Sequence, residues 1–225
     1  MDWQALLLTL KLDLVVCALL ILIGVPIAFW LAFWQWRWKF LVEAIVALPL
    51  VLPPTVLGFY ILLALGPHSP LGKFYEYFRG STLPFTFEGL VVASVIYSLP
   101  FMVQPVAAAF TSVDPKLLSA SAVLGASRVR TFLHVVLPLS MSGLLTGLIL
   151  TFAHTLGEFG VVLMVGGNIP GSTRTVSISI YDNVQALDFA SAGQTSLILL
   201  AASFIILSLV YGLNRKHPLL WPTSR

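Results

Sequence analysis

Residues 14–34, 44–66, 89–113, 139–165 and 189–214 are apolar runs long enough, as helix, to cross about 30 Å of hydrocarbon. Five such runs leave little of a 225-residue chain to face water. Only 9% of residues are charged and 58% are hydrophobic, with a mean hydropathy of +0.97, whereas soluble domains carry about 25% charged residues. The chain is expected to be an all-α polytopic membrane protein, a single domain over 1–225 with about five transmembrane helices and lipid as its solvent. The first run exceeds a signal-peptide core and has no small-residue cleavage pattern before Arg37, so it reads as a retained span.

The net charge of +3 does not indicate nucleic acid, because the twelve Lys and Arg residues are scattered and form no basic stripe. Their positions instead set an orientation, since basic residues favour the cytoplasmic side of short loops. Arg37, Lys39, Lys116, Arg128, Arg130, Arg215, Lys216 and Arg225 fall on one side of a five-span topology. Lys11, Lys73, Arg79 and Arg174 fall on the other. The N-terminus is therefore expected outside and the C-terminus in the cytoplasm. Trp30, Trp34, Trp36 and Trp38 crowd the inner end of the first run as an interfacial belt. Cys17 has no disulfide partner and is either packed or lipid-facing.

The second run contains LPLVLPPTVLG, with Pro49, Pro53 and Pro54 followed by Thr55. Proline in a span frees carbonyls that need another partner, so it is tolerated where the helix packs in protein or borders a polar cavity. One proline reads as a packing kink; this cluster points to a helix beside a pathway. Pro100 and Pro105 repeat the theme in the third run. Residues 67–87 are expected to form an ordered outer cap, and residues 166–188 a turn followed by a short helix across the outer mouth.

Residues 112–138, SVDPKLLSASAVLGASRVRTFLHVVLP, interrupt the apolar pattern on the cytoplasmic side. Asp114 and Pro115 suit the N-cap and first turn of a helix, and Gly125 suits its left-handed terminus. Ser127 can cap a second short helix with Val129, Phe132, Leu133 and Val136 on its apolar face, ending at Pro138. Ala120, Ser121 and Ala126 permit close backbone approach, and Arg128 and Arg130 offer directional contacts. From the residues alone, this elbow is either an interfacial amphipathic loop or a lever gripped by another protein.

The spacing of Ser119-Ala120-Ser121, Gly125, Val135 and Leu137-Pro138 resembles the cytoplasmic signature loop of ABC-importer permeases. Ser119 stands where that pattern has glutamate and Ser121 where it has alanine. LPLVLPPTVLG at 48–58, LGEFG at 156–160 and GNIPGSTRT at 167–175 are similar to molybdate permease subunits, several blocks being shared with sulfate and thiosulfate permeases. The resemblance implies the ABC importer permease fold working as a homodimer in the bacterial inner membrane. It implies as partners a second copy of the chain, a cytoplasmic ABC ATPase dimer and an extracytoplasmic anion-binding protein. ATP and magnesium would belong to the ATPase, with no cofactor in this chain. It also implies ATPase coupling through Ala120, Ser121, Gly125, Ala126, Ser127, Arg128, Leu137 and Pro138.

Other chemistry is not encoded in recognisable form. GPHSPLGKF at 66–74 has the wrong spacing for a phosphate-cradling loop, and Phe74 stands where Ser or Thr is needed. His68, His134, His154 and His217 are far apart and lack metal-ligand spacing, so no metal site is expected. Glu158 lies deep in an apolar run, where an ionisable residue is a functional hypothesis by default. Its charge opposes contact with an oxyanion, which favours a structural or gating role. Pro49, Pro53, Pro54, Thr55, Glu158 and Asn168 are the pathway or gate candidates, with Ser98, Thr151 and Thr155 as further hydroxyls that an oxyanion can meet. A secondary anion transporter is disfavoured by the lack of an inverted repeat, and a membrane enzyme by the lack of clustered catalytic groups.

Overall fold

The structure is a computed structural model describing residues 2–216, with side chains described through residue 208. His217, Arg225 and the expected placement of the C-terminus lie outside the described residues. Among those described there are helices and turns but no strand.

Asp2 starts α1 (Trp3–Phe33) by accepting a hydrogen bond from the Ala5 N–H at 2.9 Å. At 1.5 Å rise per residue, its 31 residues give about 46 Å, well beyond the hydrocarbon thickness. The apolar run expected from residue 14 is thus the inner part of a longer helix. Lys11 lies on that helix and reaches over the Phe87 ring, 4.5 Å from its centroid. Cys17 is packed rather than lipid-facing.

The second apolar run is not one straight span. It forms α2 (Lys39–Val51) and α3 (Pro54–Leu65), bent by 116°. The cause is local: a residue preceding proline is driven out of the helical region, and Leu52 and Pro53, each followed by proline, have ψ of 138° and 135°. Next comes α4 (Pro70–Arg79), capped by Ser69 and closed by Gly80 at φ +68°. It presents Phe74, Tyr77 and Phe78 outward, as an interfacial helix does.

The central element is α5 (Phe87–Thr111), which packs against α1, α2, α9 and α10. The elbow contains α6 (Pro115–Val123), α7 (Arg128–Thr131), a π-turn over Phe132–Val136 and α8 (Leu137–Leu139). It leads through Ser140 into α9 (Met141–Leu156), with a 69° bend between the two halves. A second break at 157–159 separates α9 from α10 (Gly160–Gly166). The outer helix is α11 (Val176–Gln185), and α12 (Phe189–Lys216) completes the described chain. Among the described residues three helices are long and apolar enough to cross a membrane, and counting each bent pair as one span brings the number to five.

Small residues set the helix spacing, as is common where lipid supplies no hydrophobic drive for helix association. Gly143 of α9 lies directly on Ala109 and the Pro105 carbonyl of α5. A side-chain carbon at Gly24 of α1 would lie 2.9 Å from Met102. At one end of the molecule, Phe29, Phe33, Phe110 and Phe132 bring α1, α5 and the elbow together, with centroids 5.0 to 6.3 Å apart. At the other end the Val176 N–H donates to Thr9 Oγ1 at 2.9 Å, tying α11 to the start of α1. The basic residues Arg37, Lys39, Lys116, Arg128 and Arg130 belong to the phenylalanine end, and Lys11, Arg79 and Arg174 to the opposite one.

The helix α12 stands apart, packing mainly on α11 and exposing Leu197, Leu200 and Phe204. Between it, α1 and α9 lies a cavity of roughly 470 Å³ lined by apolar side chains, with Cys17 and Ser203.

Candidate coupling elbow and translocation face

The elbow is built by its own backbone. Asp114 caps α6 by accepting from the Lys116 N–H at 2.8 Å. At its other end Gly125, with φ +76°, donates to the Ala122 carbonyl and Ala126 donates to that of Ser121. These two bonds form a Schellman closure, which needs the left-handed conformation that glycine adopts without steric cost. Ser127 then caps α7 by accepting from the Arg130 N–H. The hydroxyls of Ser121 and Thr131 bond at 2.7 Å and lock the two helices together. Ser121 is therefore an internal brace. Thr131, its partner, was absent from the sequence-derived site.

The tip is more apolar than the sequence pattern conveyed. Val123 is 87% and Leu124 86% exposed, while Ala120 and Gly125 lie beside them on the same surface. A side-chain carbon at Gly125 would meet nothing within 4 Å. Ala126 and Arg128 instead line a cavity of roughly 250 Å³ beneath the elbow, with Phe29, Leu118 and Phe132. The expected apolar face of the second helix is divided: Phe132 and Val136 turn inward, but Val129 and Leu133 are exposed. Pro138 causes this phase shift. It lacks an N–H and its ring crowds the carbonyl four residues back, and the Leu137 N–H bonds to Phe132 O in a π-turn. The helix thus runs through Leu137 and Pro138 and breaks at Ser140, rather than ending at Pro138.

The gate candidates divide into two groups. Pro54 packs against Gly160, where a side-chain carbon would lie 2.8 Å from the proline ring. This contact brings Pro53, Pro54 and Thr55 to the level of the α9–α10 break that holds Glu158. Pro49 is buried one turn before the bend. Asn168 is elsewhere, on the exposed outer loop: its side chain accepts from Arg174 Nε at 2.6 Å and donates to Asp182 of α11. Arg174 also pairs with Asp182 at 3.5 Å and Asp2 at 3.9 Å, so Asn168 is part of a clasp between the N-terminus and α11.

A polar layer lies within the bundle. Asp13 and Glu158 are 0% and 4% exposed, within electrostatic reach of each other, and none of their carboxyl oxygens has a hydrogen-bond partner. The sequence reading singled out Glu158 alone, because its first apolar run begins at residue 14, one position after Asp13. Ser94 and Thr151 are buried without partners as well. Ser98 Oγ lies 2.9 Å from both His154 Nδ1 and Thr155 Oγ1. The His154 ring stacks on Phe101 and meets Tyr97 edge-on, with centroids at 4.1 and 4.4 Å. Among the described residues no three His, Cys, Asp or Glu side chains are placed to hold a metal ion.

The proteins to which this chain is similar include transport system permease proteins and a chain of an ABC transporter. The chain is 50% identical, over 95% of its own length and 95% of the relative's, to the molybdenum transport system permease protein ModB of Azotobacter vinelandii. It is 35% identical to the protein of the same name from Escherichia coli K12, over 93% of this chain and 91% of that one. Its fold matches a chain of a bacterial alginate ABC transporter in complex with an alginate pentasaccharide-bound periplasmic protein. That match has a TM-score of 0.78 and 16% identity, and covers 95% of this chain and 78% of the other. Residues 24–217 match the family described as binding-protein-dependent transport system inner membrane component, and the chain belongs to that family.

Proposed function

We propose that this chain is the permease subunit of an ABC importer that carries molybdate into the cytoplasm of a bacterium. The observation that supports this most strongly is the 50% identity to a molybdenum permease over nearly the full length of both chains. In this reading two copies enclose a central pathway, an anion-binding protein delivers substrate outside, and an ATPase dimer binds ATP and magnesium inside. The N-terminus is outside and the elbow is in the cytoplasm. This chain supplies no catalytic group.

The elbow's construction suits transmission of force. Its two helices are fixed to each other by the Schellman closure and the Ser121–Thr131 bond, and to α1 and α5 by Phe132. The exposed Val123 and Leu124 give an ATPase cleft an apolar anchor in contact with water, where burial is favourable. An ATPase pair that closes on nucleotide shifts the permease only by binding one of its conformations better than the other. The elbow is where that difference is applied, with Ala120 and Gly125 beside the anchor, Ser127 opening the second helix and Arg128 over the cavity beneath.

The test is uptake by proteoliposomes holding this chain, its cognate ATPase and its binding protein. ATP-dependent accumulation of molybdate is expected, with tungstate and sulfate run in parallel. Accumulation of sulfate alone would overturn the substrate, and uptake without ATP would overturn the importer class.

A further inference from the structure

The face of α5 between α2 and α9 carries polar groups at a depth where lipid cannot satisfy them. Tyr97, Phe101, Gln104, Ala108 and Thr111 follow one another at intervals of three or four residues and share one side of the helix. Gln104 is exposed, and it lies seven residues from the inner end of α5, about 10 Å inside it. An amide left in hydrocarbon without a hydrogen-bond partner costs about 4–8 kcal/mol, so this face borders water or protein in the membrane. A cavity of roughly 300 Å³ extends from Gln104 past Thr111 to the Lys39–Glu43 pair at the inner end.

On this face we propose an oxyanion-binding station made of neutral donors: His154 and Tyr97, with Ser98 and Thr155 behind them, and Gln104 as a further donor about two turns along α5 toward the inner end. The proposal rests on the reading of the chain as an oxyanion permease. Ser98 Oγ bonds both His154 Nδ1 and Thr155 Oγ1. In the station Ser98 accepts from Thr155 and donates to Nδ1, which keeps the neutral ring's proton on Nε2, able to donate to a tetrahedral anion. Phe101 and Tyr97 fix the ring plane by stacking and edge contact, so the donor is held in place before the anion arrives. The nearest acid along α9, Glu158, and Asp13 of α1 are enclosed in the bundle rather than exposed on the face, with Glu158 within electrostatic reach of Tyr97. Lys39 is the first cation the route meets, at its inner mouth. Uncharged donors at mid-depth suit a site that must release its ligand, because conduction requires binding weak enough to leave.

Two experiments on the assembled transporter decide the point. In a Cys17→Ala background, Gln104→Cys in membranes is expected to react with a charged, water-soluble thiosulfonate, and molybdate delivered by its binding protein is expected to slow that reaction. Leu197→Cys, on the exposed face of α12, serves as the lipid-facing control. In proteoliposomes His154→Phe keeps the ring contacts without the donor and is expected to lower molybdate uptake about tenfold or more, the usual effect of losing a hydrogen bond to a charged group. His154→Gln, which restores a donor, is expected to recover most of it, and Ser98→Thr more than Ser98→Ala. Gln104→Cys as unreactive as Leu197→Cys, or His154→Phe transport matching wild type, would overturn the station. A wild-type protein that accumulates none of the three oxyanions would overturn the proposed function instead.

Discussion

The elbow and the buried polar layer both interrupt an apolar chain, but they are stabilised in opposite ways. In the elbow each interruption has a partner: Asp114, Gly125, Ser127 and Ser121 each make a named hydrogen bond, and the surface they create is open. In the layer Asp13, Glu158, Ser94 and Thr151 are enclosed without partners. A substitution in the elbow should therefore affect what binds the molecule, and one in the layer whether the helices stay together.

The largest effect is expected at Glu158→Lys, which forces a longer side chain and an ammonium ion into an enclosed site where Asp13 is the acid within reach. Overpacking costs about 1–3 kcal/mol and desolvation of the ion several more, which pairing with Asp13 only partly offsets. Loss of monodisperse protein in detergent is expected, and a Glu158→Lys protein with unchanged thermal unfolding would place that side chain in water. Next is Gly125→Arg. The space around Gly125 is empty, so this variant should fold and insert, yet its ATP-driven uptake should fall to background while the ATPase still turns over. Measuring uptake and hydrolysis on the same vesicles checks this, and normal uptake would remove the elbow from coupling.

A smaller effect is expected from Ser121→Ala, Thr131→Ala and the double variant. Each single change should lower thermal stability by about 1 kcal/mol, and the double should cost little more than either, because one shared bond is lost. Fully additive losses would show that the two hydroxyls do not act together. The smallest effects on uptake are expected for Gly125→Ala and Glu158→Gln. The alanine bears only the strain of a left-handed backbone, about 1–2 kcal/mol. The glutamine keeps the shape of the buried acid, and near-normal uptake by it sharpens the contrast with Glu158→Lys.

Much of this contrast was legible in the sequence because its causes are local. Asp114, Pro115, Gly125 and Ser127 act on their own neighbours, and the structure places both short helices where those residues indicate. The apolar runs likewise marked the spans, since hydrophobicity over a membrane thickness is a sum that needs no tertiary detail. What escaped depends on distant partners. Thr131 owes its role to a residue ten positions away, and Asp13 became an interior acid because α1 extends back to Trp3 and packs along its whole length. The three prolines announced a break in the second run but not its 116° angle, which follows from two consecutive extended residues. Pro138 was read as a stop, yet a π-turn absorbs it and rotates Val129 and Leu133 away from the core. Asn168 looked like a pathway residue only while its partners Arg174 and Asp182 were unknown.

The central claim, that the elbow is a cytoplasmic handle held by the ATPase, is tested most directly by labelling Leu124→Cys in a Cys17→Ala background. In sealed right-side-out vesicles an impermeant maleimide should leave this cysteine unmodified. In inside-out vesicles it should react quickly when the permease is alone and slowly once the ATPase is assembled on it. Labelling from the outer side, or cytoplasmic labelling that the ATPase does not slow, would contradict the account.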